Sequence, residues 1–469
     1  MLRILGKGAR LCDGVSRRDL LCVGGLSVAG LTLPGLLRAE ADTAPAGAGD
    51  RSFGRARSCI LLYMTGGPPQ HETWDPKPDA SLEVRGPFNT IPSSLSGLQV
   101  GELMPQLARH AHRCAVIRSM ATDVNAHTGS GYWMLTGRPH PNRSGESIPP
   151  DSSDWPSFGA VMKRLLPSGR EMPPVVTLPE PIKNNPGIVV AGQNAGFMPA
   201  EYEPFLLECD PSSPDFRVPG LTPLPELPVA RLDRRRSLLQ QVNHSMDSAL
   251  RGGTFARDDA LSSQAWDLLT SGKTRRAFDL GAERPKLRER YGAHKFGQSC
   301  LLARRLVEAG VRLVTVHWPR EPNDLDKGNP VWDTHSDHVA RMKSNLMPPM
   351  DQGVSALLED LVGRGMLEDT LVVWMGEFGR TPKFNPGGGR DHWGHVFSVM
   401  LAGGGIRPGI VHGESDRLGA YPEADRVGPE ELHATLYHCL GVPPNAEITD
   451  KLGRPLRACE VEPIRPVLL

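Results

Sequence analysis

Carboxylates and imidazoles are concentrated in two short stretches of the C-terminal third of the chain, and each stretch follows an apolar, strand-like run. Hard divalent metals and phosphate-ester chemistry need such side chains gathered at one point. The carboxyl ends of parallel strands meet at one edge of a sheet, where ligands bind. The sequence therefore predicts a site for one or two divalent ions, with Zn²⁺, Mn²⁺ and Ca²⁺ as candidates. Its candidate ligands are Asp333, His335 and His338 in the first stretch and Glu377, Asp391 and His392 in the second.

The local sequence around these residues supports the same interpretation. Glu377 follows the apolar run Leu371–Met375, so its carboxylate would be partly desolvated unless a cation were near. Gly387–Gly389 precedes Asp391 and His392 and would let the backbone approach a ligand closely. Taken singly, each residue could equally be a helix cap, a surface residue or a core histidine. Together they favour a metal.

Two upstream segments add further candidates. His71 and Asp75 lie four residues apart after the first apolar run and would share one helical face, although Asp75 before a proline also fits a plain turn. His127 and Thr128 precede a segment that reads as the start of a helix at Gly131. A hydroxyl or imidazole at that point would face backbone N–H donors that favour an anion. Thr128 could equally serve as an N-cap.

The composition restricts the class of protein. At 469 residues the chain can hold one large α/β domain or two smaller ones. It has 53 Lys and Arg against 53 Asp and Glu, and no long basic run follows the N-terminus. This balance argues against nucleic acid as a partner.

The N-terminus has the pattern of a twin-arginine export signal. Arg17 and Arg18 open an apolar stretch that continues to about Leu37, and Ala39–Ala41 offers small residues for cleavage. A lone membrane anchor is the alternative, but the stretch is short and is interrupted by Pro34. We therefore expect a signal peptide over residues 1–41 and a flexible linker over 42–57. The mature protein would have no membrane span and would reach the periplasm or exterior through the twin-arginine machinery.

The remaining chain alternates apolar runs with amphipathic segments, which predicts a three-layer α/β/α domain with a mostly parallel sheet over residues 58–469. A Pro-rich and Gly-rich stretch followed by two charged helical segments, 229–250 and 257–283, indicates an insertion over about 180–290. The main helices are expected at Gln298–Ala309, Met347–Gly365 and Pro429–Leu440. The predicted strands are Cys59–Met64, Cys114–Ile117, Pro174–Leu178, Val311–His317, Leu371–Met375 and Val396–Ala402.

Several longer strings resemble the bacterial domain-of-unknown-function 1501 family over nearly the whole chain from about residue 10. The strings are Ser16–Arg18, Leu62–Pro68, Met134–Pro139, Phe296–Arg305, Trp332–His335, Met375–Pro382 and Gly389–Trp393. That family resembles the alkaline phosphatase and sulfatase superfamily. The resemblance implies a sheet with metals at its carboxyl edge and hydrolysis of phosphate or sulfate esters as the ancestral chemistry.

When the ligands of the superfamily are carried over by position, the resemblance implies one metal site made of Asp333, His392 and either His335 or His338. Glu377 stands where the superfamily has an aspartate of a second site.

Three departures from the superfamily pattern bear on this second site and on the nucleophile. Phe378 replaces the histidine of the second site, and Gly66 with Gly67 replaces the aspartate after the first strand, so His71 and Asp75 would have to substitute. His127 stands where sulfatases carry their modified cysteine. A formylglycine mechanism is therefore not available.

Two functions follow from this reading. The first is an exported metal-dependent hydrolase of a phosphate or sulfate ester, for example on a glycan. The cation would activate water or the Thr128 hydroxyl, His127 would act as base or acid, and Arg138 and Arg380 would hold the anionic group. The alternative is a non-catalytic extracytoplasmic member that binds a glycan or a protein and keeps at most one structural metal. Metal content separates the two.

Overall fold

The computed structural model describes residues 50–167, 172–184, 187–218, 234–235, 237–239, 241–242, 271–320 and 331–469. The chain divides into Met1–Asp50 and Arg51–Leu469, and the description below concerns the second unit. The expected export signal at 1–41 lies outside the described residues. Among the described residues, no helix combines the length and the apolar character needed to cross a membrane.

An eight-stranded sheet forms the centre of the domain. In chain order the strands are β1 Ser58–Tyr63, β2 Cys114–Met120, β3 Val175–Leu178, β4 Phe205–Leu206, β5 Leu313–His317, β6 Thr370–Met375, β7 Phe397–Ala402 and β8 Ile410–His412. Across the sheet they run in the order β8-β2-β7-β6-β1-β5-β3-β4. All neighbouring pairs are parallel except those of β7, which is antiparallel to both β6 and β2.

The sheet is covered on both faces, which explains why its central strands are continuous apolar runs. Ile60 and Leu62 of β1 belong to a core shared with helices Lys295–Glu308 and Met347–Gly363. The alternate residues of β1, which are Cys59, Leu61 and Tyr63, belong to a second core. That core is shared with helices Phe158–Leu165 and Pro429–Cys439. Successive side chains of a strand point to opposite faces. The domain is therefore a three-layer α/β/α structure with a mostly parallel sheet, as the sequence predicts.

Shorter elements complete the described part of the chain. The remaining α-helices are Leu82–Arg85, His127–Thr136, Gly272–Phe278, Pro285–Tyr291 and His338–Arg341, and a π-helical turn covers Met342–Leu346. The 3₁₀ turns are Leu107–Arg113, Ala200–Tyr202, Leu280–Ala282 and Arg465–Val467. Two-stranded pairs join Thr90–Pro92 to Gln99–Gly101, Lys183–Asn184 to Ile188–Val189, Gly379–Arg380 to His392–Trp393, Glu414–Ser415 to Pro422–Ala424, and Glu447–Thr449 to Pro455–Arg457.

The predicted strands and main helices coincide with observed elements, with shifts at their ends. The helix expected to start at Gly131 begins earlier, at His127. Of the two charged segments of the insertion, 229–250 and 257–283, most residues lie outside the described part of the chain, and the end of the second forms Gly272–Phe278.

The end of the expected linker is not a linker. Residues 51–57 pack on the domain, with Ser52 and Ala56 buried. The Gly54 and Ala56 N–H groups donate to the carbonyls of His438 and Cys439 at 3.0 and 2.8 Å. These bonds satisfy the carbonyls at the end of a helix, which composition alone did not reveal.

Candidate metal centre

Strand direction places the candidate ligands at one edge of the sheet. Glu377 follows the parallel strand β6, and the segment that leads to His127 follows β2, so both lie at the carboxyl edge. Strand β7 is antiparallel and therefore begins at this edge. His392, which precedes β7, is brought there because of that reversal.

Three ligand atoms converge at this edge. Nε2 of His335 lies 2.9 Å from Nε2 of His392 and 3.0 Å from Oδ1 of Asp333. The third side of the triangle, from His392 Nε2 to Asp333 Oδ1, is 3.1 Å. Asp333, His335 and His392 thus form a group whose spacing could hold a metal ion.

The outer nitrogens of the two rings determine which atoms face the triangle. His335 Nδ1 lies 2.7 Å from Oδ1 of Asp391, and His392 Nδ1 lies 2.8 Å from the carbonyl of Asn125. Both partners accept hydrogen bonds, so each Nδ1 carries a proton, and each ring in its neutral form presents an Nε2 lone pair to the triangle. Partners of this kind commonly orient metal-binding histidines.

Three acceptors at about 3 Å repel one another unless a positive charge lies between them. One added proton can satisfy a single pair, whereas a divalent ion satisfies all three. Asp333, His335 and His392 would hold such an ion through these three atoms, whose types are usual ligands of Zn²⁺. Two imidazoles and one carboxylate suit Zn²⁺ or Mn²⁺, and three protein ligands leave a coordination position for a substrate.

His127 bridges the two carboxylates beside this triangle. Its Nδ1 lies 2.8 Å from Glu377 Oε1, and its Nε2 lies 3.4 Å from Asp333 Oδ2. Burial alone would lower the pKa of His127, but the hydrogen bonds to Asp333 and Glu377 raise it to about 9. The second oxygen of Glu377, Oε2, is buried and makes no hydrogen bond. A protonated imidazole therefore lies where a second site was expected.

Phe378 shields the same region. Its ring stacks on His392 with centroids 4.5 Å apart and lies 5.0 Å from the His127 ring. The fully buried phenyl ring offers no ligand and excludes water from one side of both imidazoles.

Arg380 was expected to bind substrate, but the structure places it inside the protein. It is fully buried, and its Nη2 lies 2.8 Å from Asp333 Oδ1. Nη2 also contacts the backbone carbonyls of Gly66 and Trp332, while Nε donates to the Gly67 carbonyl and Nη1 to the Arg390 carbonyl. Burial would raise the pKa of Asp333, but Arg380 and the three histidines hold it well below its usual range. Arg380 thus keeps the Asp333 ligand ionised and its loop in place.

A buried ion pair joins the two loops that carry the candidate ligands. Arg390 Nη2 lies 2.7 Å from Glu72 Oε1, and His338 Nε2 lies 3.4 Å from Glu72 Oε2. Thr334 Oγ1 lies 2.7 Å from His338 Nδ1, and its carbonyl accepts the Arg390 N–H at 3.0 Å. His338, predicted as a ligand, therefore lies behind the loop and positions it. Burial opposes the ionised form of Glu72, but Arg390 and His338 hold its pKa below the usual range.

Two glycines allow the close approach of these loops. A Cβ on Gly66, whose φ is +108°, would lie 2.5 Å from the backbone nitrogen of Asp333. A Cβ on Gly389 would lie 2.0 Å from the His335 carbonyl, so the glycine run does permit the close backbone contact that its sequence suggests.

Four further residues that were predicted for the site are bound to other parts of the protein: Thr128, Arg138, His71 and Asp75. The Thr128 hydroxyl is buried, donates to the Glu146 carbonyl at 2.8 Å and accepts from Ile148. Arg138 pairs with Glu460 at 2.8 Å and lies over Trp155.

His71 and Asp75, the suggested replacements in a second site, are bound to another segment. His71 Nε2 contacts the Leu418 carbonyl at 2.8 Å, and burial lowers the pKa of His71 to about 4. Asp75 accepts from Ser415 and pairs with Lys77 and Arg118 at 3.1 and 3.5 Å. Their short spacing reflects a buried turn that packs against residues 415–419.

A cleft lies beside Asp333 and Glu377, and its lining includes Tyr63, Lys183 and Arg320. Burial and the nearby Glu377 carboxylate raise the pKa of Tyr63 well above its usual value, so the phenol stays protonated. Tyr63 is the last residue of β1, and this place at the carboxyl end of a strand could have identified it as a site residue from the sequence. Lys183 and Arg320 lie 137 positions apart in the chain, and no local spacing predicts that they come together.

Residues 56–468 match the family model described as "Protein of unknown function (DUF1501)". The chain belongs to this family. No curated protein matches the sequence.

Three solved structures show what the chain is similar to. Ps i-CgsB in complex with k-i-k-neocarrahexaose is 11% identical, with 82% of this chain and 72% of that chain covered and a TM-score of 0.40. The PsFucS1 sulfatase from Pseudoalteromonas sp. is 15% identical, over 83% and 68%, with a TM-score of 0.39. The C-terminal periplasmic domain of EcEptC from Escherichia coli, in complex with Zn, is 12% identical, over 89% and 97%, with a TM-score of 0.33.

Proposed function

We propose that this member of the family is an exported, metal-dependent hydrolase of phosphate or sulfate esters. The observation that carries the proposal is the triangle of Asp333 Oδ1, His335 Nε2 and His392 Nε2, with sides of 2.9 to 3.1 Å. When bound there, a divalent cation supplies Lewis-acid polarisation of the ester and lowers the pKa of water.

The chain's own residues supply the rest of the chemistry. His127 holds a proton between Asp333 and Glu377 and lines the cleft, so it can donate to the oxygen of the leaving group. Phe378 keeps water from the inner side of the two imidazoles and so strengthens the local electrostatics. Asp391 and the Asn125 carbonyl hold the ligand rings in one tautomer.

The first experiment is a screen of metal-loaded protein on phosphate monoesters, phosphate diesters and aryl sulfates, with His335→Ala as the inactive control. We expect turnover of at least one class by the wild type and a loss of more than about a hundredfold in the variant. A wild type that is inert on every ester would contradict the proposal.

Thr128→Ala tests whether a side-chain nucleophile is used. Because the Thr128 hydroxyl is bonded to Glu146 and Ile148, its removal should cost about 1 kcal/mol of stability and leave kcat within about threefold. A loss of kcat of about a thousandfold, with the fold retained by circular dichroism, would show instead that Thr128 is the nucleophile.

A second candidate function is a non-catalytic protein that keeps the metal and binds a glycan or a partner protein. The engagement of the Thr128 hydroxyl with the Glu146 carbonyl favours it, since this hydroxyl is then not free to attack an ester. Binding of sulfated sugars without turnover of any ester would favour this candidate.

A further inference from the structure

The side-chain amide of Asn385 makes four hydrogen bonds between the two loops that carry the candidate ligands. Its Nδ2 donates to the His335 carbonyl at 3.0 Å and to Asp391 Oδ1 at 2.9 Å. Its Oδ1 accepts the N–H groups of Gly387 and Gly389 at 2.9 and 3.0 Å. A carbonyl and a carboxylate accept, and a backbone N–H donates, so the four partners fix which way the amide points. The hydrogen-bonding capacity of this side chain is fully used.

The carboxylate of Asp391 depends on this anchor. Its side chain is 52% exposed, and it follows the run Gly387–Gly389, whose backbone has little intrinsic preference for one conformation. The backbone of Asp391 is held by Thr381, through bonds of 2.9 and 3.1 Å. Oδ1 of Asp391 accepts from His335 Nδ1 at 2.7 Å and from Asn385 Nδ2. The oxygen that orients the His335 ring is therefore the oxygen that Asn385 holds.

The second donor bond of Asn385 acts on the main chain of the other loop. The His335 carbonyl that accepts it is in close contact with Gly389, where a Cβ would lie 2.0 Å from the same oxygen. Asn385 thus holds His335 at its backbone directly and at its ring through Asp391. The sequence does not indicate this role, because the contact between Asn385 and His335 spans 50 positions.

We propose that Asn385 is a positioning residue of the metal centre and acts on the His335 imidazole through Asp391. The inference rests on the proposed metal site and names a residue on which the affinity of that site depends. Groups that orient a metal-binding histidine typically change metal affinity by about ten- to a hundredfold. Because Asn385 acts at one further remove, we expect an effect at the lower end of this range, of about tenfold.

A double-mutant cycle of Zn²⁺ affinity, measured by competition with a chelating dye, tests the proposal. The proteins are the wild type, Asn385→Ala, Asp391→Ala and the double variant. We expect Asn385→Ala to bind Zn²⁺ about tenfold more weakly than the wild type. In the absence of the Asp391 carboxylate, the same substitution should cost less than about threefold, since the connection is already broken. Asn89→Ala, which removes an exposed 3.3 Å bond to Glu102, is the matched control and should bind as the wild type.

A second measurement separates orientation of the ring from folding of the glycine turn. Nitrogen-15 NMR of metal-free protein, at a pH at which the His335 ring is neutral, reports which ring nitrogen carries the proton. We expect the Nδ1–H form to dominate in the wild type and to lose population in Asn385→Ala. Asn385→Asp keeps an acceptor for Gly387 and Gly389 but lacks both donors, so it should show the same loss. A loss in Asn385→Ala with a normal tautomer in Asn385→Asp would show that Asn385 holds only the turn, and would overturn the proposal.

The outcomes separate this proposal from the hydrolase. Unchanged Zn²⁺ affinity in Asn385→Ala, or losses in the two single variants that multiply in the double variant, would overturn the positioning role and leave the hydrolase standing. A coupled loss of affinity in protein that turns over no ester would support the positioning role and contradict the hydrolase. A wild type that binds no Zn²⁺ would overturn both.

Discussion

His335 and His392 are distinguished from ordinary core histidines by what holds the far side of each ring. A buried histidine usually uses one nitrogen as donor and the other as acceptor toward the protein. Here the donors are committed to Asp391 and the Asn125 carbonyl, and the acceptors face each other and Asp333. The lone pairs of these acceptors face one another, which is unfavourable. A cation bound between them would remove the repulsion.

The first prediction at this scale concerns Asp391. Asp391→Asn removes the charge that fixes the His335 ring at 2.7 Å without touching the triangle. Zn²⁺ affinity, measured by competition with a chelating dye, should fall by about ten- to a hundredfold. Asp79→Asn, at an exposed position, is the matched control and should bind as the wild type. An unchanged dissociation constant for Asp391→Asn would contradict this role.

The second prediction concerns His127 in metal-free protein. The pKa of His127 rises from about 6.5 in the unfolded chain to about 9 in the fold, so its ion pairs stabilise the fold fully below about pH 6.5. The stabilisation is lost as the pH rises through about 9. The difference in free energy of unfolding between wild type and His127→Gln should therefore be about 3 kcal/mol at low pH and shrink as the pH rises. Urea titrations at several pH values measure it, and a difference that grows with pH would refute the assignment.

At the scale of the elements, the loops carrying the ligands depend on residues that no local motif identifies. Glu377 and His392 could be singled out because each lies within a few residues of an apolar strand-like run, and the strand order brings the ends of these strands together. Asp333 follows the end of β5 less closely and was singled out by its grouping with His335 and His338. Glu72 could not, because its ion pair with Arg390 spans 318 positions. The hydrogen bond from Thr128 to the Glu146 carbonyl could not be predicted for the same reason, because the local N-cap pattern does not indicate it.

Glu72→Gln tests the element scale. The substitution keeps the shape of the side chain but leaves Arg390 buried without a counter-charge, which typically costs about 3–5 kcal/mol of stability. Chemical denaturation should show this loss. Glu368→Gln breaks the exposed pair with Arg55 and should leave the free energy of unfolding unchanged within error. Similar midpoints for both variants would show that the buried pair does not hold the loops.

At the scale of the whole molecule, the layered fold follows from apolar runs that alternate with amphipathic helices. The antiparallel strand β7 is the part that sequence could not give, since strand direction depends on how the chain crosses the sheet. The packing of residues 51–57 could not be predicted from the sequence either, because these residues donate hydrogen bonds to the end of helix Pro429–Cys439, which is far away in the chain. The folded domain presents its candidate site as a finished assembly, which suits an export route for folded proteins.

That export route gives the prediction for the whole chain. If the expected twin-arginine signal is used, changing Arg17 and Arg18 together to Lys should trap the precursor inside the cell, since this pair would be the recognition signal. Cell fractionation and immunoblotting measure this, with substitution of Arg10 to Lys as the control outside the pair. Mature protein outside the cytoplasm at the normal level in the double variant would exclude the route.

The central claim is that one divalent ion is bound by Asp333, His335 and His392, and anomalous scattering from crystals of the Zn²⁺-loaded protein tests it most directly. We predict a strong anomalous peak at the zinc edge within about 2.3 Å of Asp333 Oδ1 and both Nε2 atoms, and its absence in His392→Ala. A map without a peak at the triangle, with His335 and His392 in direct hydrogen-bond contact, would contradict the claim.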